Sequence, residues 1–483
     1  MNLKLIRSRI NKRFEKSNLT VFPNIVKNKS NSIKFLWSIS YILTAACSWW
    51  FIMRSITDYF NHNVVTKTLV KHEHGGLIFP IIGICNINPF TTEYSKEFIS
   101  NIIADDEQNI DNLYQSIIYA NYISNETMSK FNRKLFGQNL KEFLIDCKFA
   151  NSKCDMERDF EYYYDVNYGN CYRYNSGRNM KGEKVDQKYV YSHGINNALD
   201  LELFIGSAYE NTFSFSYENG FVLFINNESL DSTYYEGVTI SPGTSTKIII
   251  SSQTNRKQPK PYSECTSNLI SLDSYSSDPF KKALLANNFK YHYMDCFVMC
   301  YQKYLGDFCH CQTSYYNLIY YKEMRRCSID VDIETQNKDT HCDDNLWINL
   351  TNNSDMVNKC DCPVECEYSG YTYKVSVSEY PSKIYGDYLT SNNNLIKAKF
   401  YNATQLNLRE SIARVRIFYD EMIKVTVSEE IKTQLADLVS SCGGIIGLFM
   451  GLSFLSMFEF IEIIIKILVV LFKLNSTNIN TVE

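Results

Sequence analysis

Two stretches of this chain run without a charged residue for long enough to cross a lipid bilayer. Phe35 to Met53 reads FLWSISYILTAACSWWFIM, and Val439 to Phe458 reads VSSCGGIIGLFMGLSFLSMF; apolar character resumes after two glutamates as far as Phe472. A spanning helix needs about 20 predominantly apolar residues, so each stretch predicts a membrane helix. The first starts too late for a signal peptide and is followed by no small-x-small cleavage pattern. Trp37, Trp49 and Trp50 suit anchoring at the bilayer interface. Lys4, Arg7, Arg9, Lys12, Arg13, Lys16, Lys27, Lys29 and Lys34 precede the first span against a lone Glu15. By the positive-inside rule the N-terminus is cytoplasmic. Two spans return the tail to the same side and leave everything between them outside.

That outside region is too long to be a connector and predicts a folded body. Alternation of apolar and polar positions in Phe213-Ser-Phe-Ser-Tyr and in Gly370-Tyr-Thr-Tyr-Lys-Val-Ser-Val-Ser reads as strand, and Asn219-Gly220 between two such runs is a hairpin signal. Residues from Thr91 to Lys141 read as more helical and polar and include the acidic Asp105, Asp106 and Glu107. The stretch from Cys265 to Cys366 is dense in cysteine, with helical pieces such as Lys281 to Tyr304. The fold class expected is a membrane protein with two transmembrane helices and a large disulfide-rich α+β extracellular domain.

Composition narrows the chemistry. The 483 residues carry a formal net charge of -4, without the basic excess of a nucleic-acid-binding chain, so no nucleic-acid partner is expected. Of 16 cysteines, all but Cys47 and Cys442 lie between the spans, an even set of fourteen in an oxidising compartment. Five sequons begin there, at Asn125, Asn227, Asn349, Asn352 and Asn402, and are candidate glycosylation sites. Cys309-His-Cys311 and Cys360-Asp-Cys-Pro-Val-Glu-Cys366 could in principle hold zinc, but outside the cell, with no tandem CxxC pair, disulfides are the better reading. His310 and His341 read as surface residues beside those bridges. No HExxH, GxSxG, phosphate-binding glycine loop or nucleophile–base pair is found. The expectation is no enzyme, no catalytic residue, no metal and no cofactor.

The second span carries more than apolar bulk. Ser440, Gly444, Gly447 and Gly451 recur at helical spacing on one face, while Ile445, Leu448, Phe449 and Leu452 crowd much of the remainder. Gly447-x-x-x-Gly451 by itself fits close helix packing. Packing does not account for Glu459 and Glu462, since ionisable residues at membrane depth are costly and usually face a wet path. Lys466 stands four residues beyond Glu462 as a candidate pair. Several such helices around an axis would expose backbone and hydroxyls to water, with acidic rings that favour cations.

With these residues in view, the chain resembles the degenerin/epithelial sodium channel superfamily. Phe79-Pro-Ile-Ile-Gly-Ile-Cys85-Asn-Ile-Asn88 is similar to the segment after the family's first span. Tyr168-Gly-Asn-Cys171-Tyr-Arg-Tyr-Asn175 resembles its YGNCYxFN motif. Pro261-Tyr-Ser-Glu-Cys265 and Cys360 to Cys366 resemble the ends of its cysteine-rich thumb. Gly443-Gly-Ile-Ile-Gly-Leu-Phe-Met-Gly-Leu-Ser453, with Glu459 following, is the strongest match.

The resemblance implies a homotrimer or heterotrimer in the plasma membrane, with a palm, finger, thumb and knuckle built around a β-ball. The implied layout is a cytoplasmic N-terminus over 1–34, a first span over 35–58, an extracellular domain over 59–437, a pore-lining span over 438–472 and a cytoplasmic tail over 473–483. The finger would fall at about 91–165 and the thumb at 265–366. It implies the pairs Cys85–Cys171, Cys147–Cys154, Cys265–Cys366, Cys296–Cys362, Cys300–Cys360, Cys309–Cys342 and Cys311–Cys327. It also implies a selectivity filter at Gly451-Leu452-Ser453, a gate or degenerin position at Ser440 with Ser441 and Gly444 beside it, an amiloride-contact position at Gly447, and pore acids at Glu459 and Glu462.

Departures from the family pattern matter too. Asn31-Ser32 stands where the family has His-Gly before the first span, Leu452 replaces a small filter residue, and Asn63 and Val64 stand where acid-sensing members carry a His pair. His72 and His74 stand nearby as candidate acid sensors, though histidines so placed are more often simply exposed. The tail lacks the PPxY motif of epithelial sodium channel subunits, and no Arg-x-x-Arg protease site appears in the finger. The function implied is a subunit passing sodium and other small cations inward, opened by an extracellular stimulus for which a neuropeptide is the first choice. Acid or mechanical gating is the alternative within the family. A non-conducting disulfide-rich receptor is the reading from another class, and an ATP-gated trimeric channel lacks the quoted motifs.

Overall fold

The computed structural model describes residues 30–95, 97, 133–165, 167–206, 218–227, 237–266, 277–286, 291–313, 316, 320–321, 323–327, 333–393, 396, 408–451, 453, 458, 461–462 and 465. In chain order its helices are α1 (Asn31–Phe60), α2 (Leu140–Phe143), α3 (Asp278–Ala286), α4 (Tyr293–Cys309), α5 (Ile333–Asn352), α6 (Ser354–Lys359), α7 (Lys383–Asn392) and α8 (Leu435–Met450). Its strands are β1 (Val64–His72), β2 (Leu77–Ile78), β3 (Ile81–Asn86), β4 (Leu144–Phe149), β5 (Ser152–Lys153), β6 (Phe160–Asp165), β7 (Gly169–Tyr174), β8 (Tyr189–Val190), β9 (Leu199–Phe204), β10 (Phe221–Asn226), β11 (Val238–Ile240), β12 (Thr244–Arg256), β13 (Glu367–Glu379) and β14 (Ile412–Ile431). They form two units, one of Met1–Thr66 with Glu429–Glu483 and one of Lys67–Ser428.

In the first unit the apolar run folds as a single helix. α1 contains a window of mean hydropathy 1.4, long and apolar enough to cross a membrane. Its hydroxyls are satisfied within the helix: Ser38 Oγ donates to Lys34 O at 2.8 Å and Thr57 Oγ1 to Met53 O at 2.8 Å. Internal pairing of this kind is what hydrocarbon surroundings require. The helix starts four residues before Phe35, so Asn31 and Ser32 form its first turn. The second apolar stretch gives α8, which is regular from Leu435 only to Met450.

The second unit is built on two sheets. One has the strand order β13-β12-β14-β9-β4-β5, with β1 also pairing β14; the other has the order β11-β10-β3-β7-β6, and β2 and β8 form a small pair. β12 and β14 run parallel, while β13, β9 and β4 join antiparallel. The alternation along β14 explains its place: Val415, Ile417 and Tyr419 enter the core while Arg414 and Arg416 point to the other face. The same core takes Ile82 and Ile84 from β3, Tyr172 and Tyr174 from β7, and Phe221 and Leu223 from β10, so both sheets share one apolar interior. Phe79, fully buried, meets Phe149, Tyr174 and Tyr419 edge-on.

The Gly370–Ser378 pattern lies within β13, and the run after Asn219-Gly220 is β10. β10 pairs β3 and β11; the run proposed before the turn, at 213–217, lies outside the described residues. So do Asp105 to Glu107 and residues 96 and 98–132 of the expected finger. The helical piece from Lys281 to Tyr304 is two helices, α3 and α4. A small core of Phe280, Leu284, Val298 and Met299 packs these together. Tyr301, Leu305, Leu346 and Leu350 pack α4 on α5.

Candidate ion pathway and the disulfide-bonded body

The first unit decides which face of α8 is free. Ser441 Oγ approaches Ser55 Oγ at 3.4 Å, and Phe449 stacks on Phe51 with ring centroids 5.6 Å apart, so α8 lies against α1. Leu438, Cys442, Ile445 and Phe449, spaced by four, three and four residues, are partly covered. Ser440, Gly444, Gly447 and Gly451 are exposed, as is Ser441. The small-residue stripe therefore lies on the face that α1 does not cover. A Cβ added at Gly443 or Gly444 would meet nothing within 4 Å. Close packing on α1 therefore gives no reason for the glycine at either position.

The lower end of the stripe has its own geometry. Gly451 adopts φ +64°, left-handed, and its N–H donates to Gly447 O at 3.0 Å. A glycine in this conformation is a common helix C-cap, since it escapes the Cβ clash that other residues meet there. The helix expected to continue to 472 thus has its last regular residue at Met450 and its C-cap at Gly451, the first residue of the expected filter. Ser453 is exposed. Leu452 and Glu459 lie outside the described residues, whereas Glu462 is helical and exposed. At the other end, Gln434 N–H donates to Asp437 Oδ2 at 3.0 Å, which fixes the first turn of α8.

In the second unit, seven disulfides join Cys85 to Cys171, Cys147 to Cys154, Cys265 to Cys366, Cys296 to Cys362, Cys300 to Cys360, Cys309 to Cys342 and Cys311 to Cys327. Cys47 and Cys442 are free. Cys296 and Cys300 are one turn apart on α4 and bond to Cys362 and Cys360, two rungs between one helix and one short segment. His292 caps α4, its Nδ1 accepting from Met294 N at 3.3 Å, and Glu365 accepts from Tyr293 N at 2.8 Å. His310 is the left-handed C-cap of α4, and His341 is an exposed residue of α5. Among the sequons, Asn349 and Asn352 are exposed on α5 and Asn227 follows β10; Asn125 and Asn402 lie outside the described residues.

Two groups of residues that sequence reasoning did not single out fix β14, the strand that leads in the chain to α8. Arg414 donates to both carboxylate oxygens of Asp200 on β9, at 2.9 and 2.5 Å. Beside it Glu202, buried, accepts from the Tyr385 hydroxyl of α7 at 2.7 Å. Burial pushes the Glu202 carboxyl above the usual carboxylate range, against the opposing pull of Tyr385 and Arg414. Further along, Tyr419 Oη donates to Ile78 O at 2.7 Å. Asn175, the last residue of the YGNCYxFN-like motif, is also structural: at φ +63° its side chain donates to Phe79 O at 2.5 Å and accepts from Lys188 N at 2.6 Å.

The amiloride-sensitive sodium channel family model matches residues 14–463. The chain is 24% identical to acid-sensing ion channel 2 of Homo sapiens over 459 residues, 90% of this chain and 81% of that one. It is 20% identical to the FMRFamide-activated amiloride-sensitive sodium channel of Cornu aspersum over 536 residues, covering 93% and 82% respectively. With the bile acid-sensitive ion channel of Mus musculus it shares 22% over 471 residues, covering 91% and 84%.

Proposed function

Because the chain belongs to the amiloride-sensitive sodium channel family, within the degenerin/epithelial sodium channel superfamily, we propose that it is a pore-forming subunit of a trimeric, sodium-permeable cation channel opened by an extracellular peptide. The observation that carries the pore assignment is the stripe Ser440–Gly444–Gly447–Gly451, which α1 leaves uncovered and which ends in a left-handed glycine. Around a threefold axis that face would offer small side chains and backbone carbonyls to water, with Gly451-Leu452-Ser453 as the filter, Ser440, Ser441 and Gly444 at the gate, and Gly447 as the amiloride contact. Glu459 and Glu462 would add acidic rings favouring cations.

Assembly has support from the edge strand β13, where Tyr373, Val375 and Val377 are 41%, 46% and 59% exposed. An uncovered apolar edge in a single chain is a surface for a second copy. On this reading both termini are cytoplasmic in the plasma membrane, the seven-disulfide unit is extracellular with the finger at 91–165 and the thumb at 265–366, and the sequon asparagines Asn125, Asn227, Asn349, Asn352 and Asn402 carry glycans. Peptide gating is favoured by the FMRFamide-activated relative and by Asn63 and Val64 at the acid-sensing histidine positions. The acid-sensing relatives make acid the second stimulus to try.

The test is current in oocytes expressing the chain, alone and with related subunits, challenged with amidated peptides, acid and pressure. Inward sodium current blocked by amiloride and evoked by peptide is expected. Surface-expressed protein that passes no cation current under any challenge contradicts the channel reading. Current evoked by acid alone transfers the stimulus and leaves the pore assignment standing.

A further inference from the structure

The hairpin that follows β7 frames a cavity of about 600 Å³ walled by Arg158, Arg178 and Lys184, with Asp186 as the one carboxylate among its lining residues. Its walls are held in place from several directions. Val185 N donates to Gly177 O at 3.0 Å and Asn179 N to Glu183 O at 3.0 Å, closing the hairpin. Met180 N donates to Glu157 O at 3.1 Å, fastening the hairpin tip to the segment that carries Arg158. That segment is fixed in turn by the Asp155 carboxylate, which accepts from Glu157 N at 3.0 Å and Arg158 N at 3.3 Å.

Charge is unbalanced here. Four carboxylates near the cavity are committed elsewhere: Glu157 to Lys141 at 3.3 Å, Asp159 to Lys188 at 2.9 Å, Glu183 to Asn179 Nδ2 at 2.8 Å, and Asp155 to the backbone just described. Among the described residues the Arg158 and Lys184 side chains have no hydrogen-bond or ion-pair partner, and Arg178 gives only Nη1, to Gly182 O at 3.2 Å. Three cations thus face one cavity against a single acid, with two guanidinium forks available. Ion pairs across a surface gap are weak one at a time. A ligand that meets two forks and an ammonium at once gains bidentate geometry that neither fork reaches alone.

We propose that this cavity binds a small organic polyanion carrying at least two phosphate or carboxylate groups. It stands apart from the pore assignment, since none of its residues belongs to the proposed pore. The two possible head groups are separated by the probes. Purified full-length chain in nanodiscs, in calcium-free buffer, is titrated calorimetrically with inorganic pyrophosphate and, separately, with tricarballylate. Saturable binding of at least one probe is expected, the tighter one identifying the head group. The double variant Arg158→Gln/Arg178→Gln should weaken it by about tenfold or more, since both forks are lost. Lys181→Gln, on the same hairpin but outside the lining, should leave it unchanged. Both arginines are exposed, and an unchanged elution volume verifies that the variant is folded. No saturable binding of either probe at millimolar concentration overturns the proposal. So does a double variant that binds as the parent does, or a Lys181→Gln variant that loses as much.

Discussion

Gly451 combines two demands in one residue. Its left-handed backbone ends α8, and its lack of a side chain leaves the stripe open. Gly451→Arg should abolish cation current while protein still reaches the surface, and Ser453→Arg should do the same, because three guanidinium groups at a narrow ring oppose cation entry. Normal current and selectivity in either variant, with surface biotinylation unchanged, would take that residue out of the filter. The periodicity that placed Ser440, Gly444 and Gly447 on one face was legible in the sequence; the cap at Gly451 was not. An apolar run signals membrane depth without saying where its helix stops, and Gly-x-x-x-Gly reads equally as packing. Glu202 was invisible for a different reason: alternation marks its position without revealing that Tyr385 and Arg414 close over it. Its carboxyl is raised by burial, so protonation favours the folded arrangement; that contribution is fully present below the ordinary carboxylate pKa and is lost as pH rises through the raised value. Hydrogen exchange across α7, corrected for intrinsic rates, should show stronger protection in mild acid than at neutrality. Glu202→Gln should flatten the difference, and a difference that persists in this variant assigns it to another group.

Among the elements, α4 carries three bridges, from Cys296, Cys300 and Cys309, and loop length ranks the bridges of the body. Cys265–Cys366 spans 101 residues and Cys147–Cys154 only 7. In the chain-entropy picture a 100-residue loop is worth about 4.7 kcal/mol and short loops much less. Nesting changes the ranking for the two rungs on α4, because either one keeps nearly the same loop closed when the other is lost. Replacing Cys300 and Cys360 together by Ser should therefore fall toward the low end of the usual ~2–5 kcal/mol for a native disulfide. Removing both rungs should cost clearly more than twice that. Thermal unfolding of the purified chain under non-reducing conditions reads both values; equal melting temperatures for the one-rung and no-rung variants would contradict the ladder. Spacing alone leaves the connectivity of fourteen cysteines open, so it was the family resemblance, and not the count, that implied particular pairs. β14, by contrast, was not singled out at all, although its Val415, Ile417 and Tyr419 alternate with Arg414 and Arg416 in plain view. The parallel partner β12 stands more than 150 residues earlier in the chain, and no local pattern encodes so distant a pairing.

At the scale of the whole molecule, β1 and β14 each carry the chain from one unit into the other, from the disulfide-bonded body to the apolar helices. If the proposed ligand moves the disulfide-bonded body, β1 and β14 are the segments by which the chain leads from that body to the helices. The gate is where such movement must act. Ser440 lies on the uncovered face of α8, and in a trimer three copies would approach one another there. Added volume at a closely packed closed constriction commonly costs ~1–3 kcal/mol per site. Three sites together would invert a closed population held by a margin of several kcal/mol. The most direct test is whole-cell current without stimulus in cells expressing Ser440→Cys, recorded before and after a bulky thiol reagent, with the parent chain controlling for Cys47 and Cys442. The account predicts a large, standing, amiloride-sensitive sodium current after modification of Ser440→Cys and none in the parent. A modified channel that stays silent at rest yet opens normally to its stimulus would contradict it.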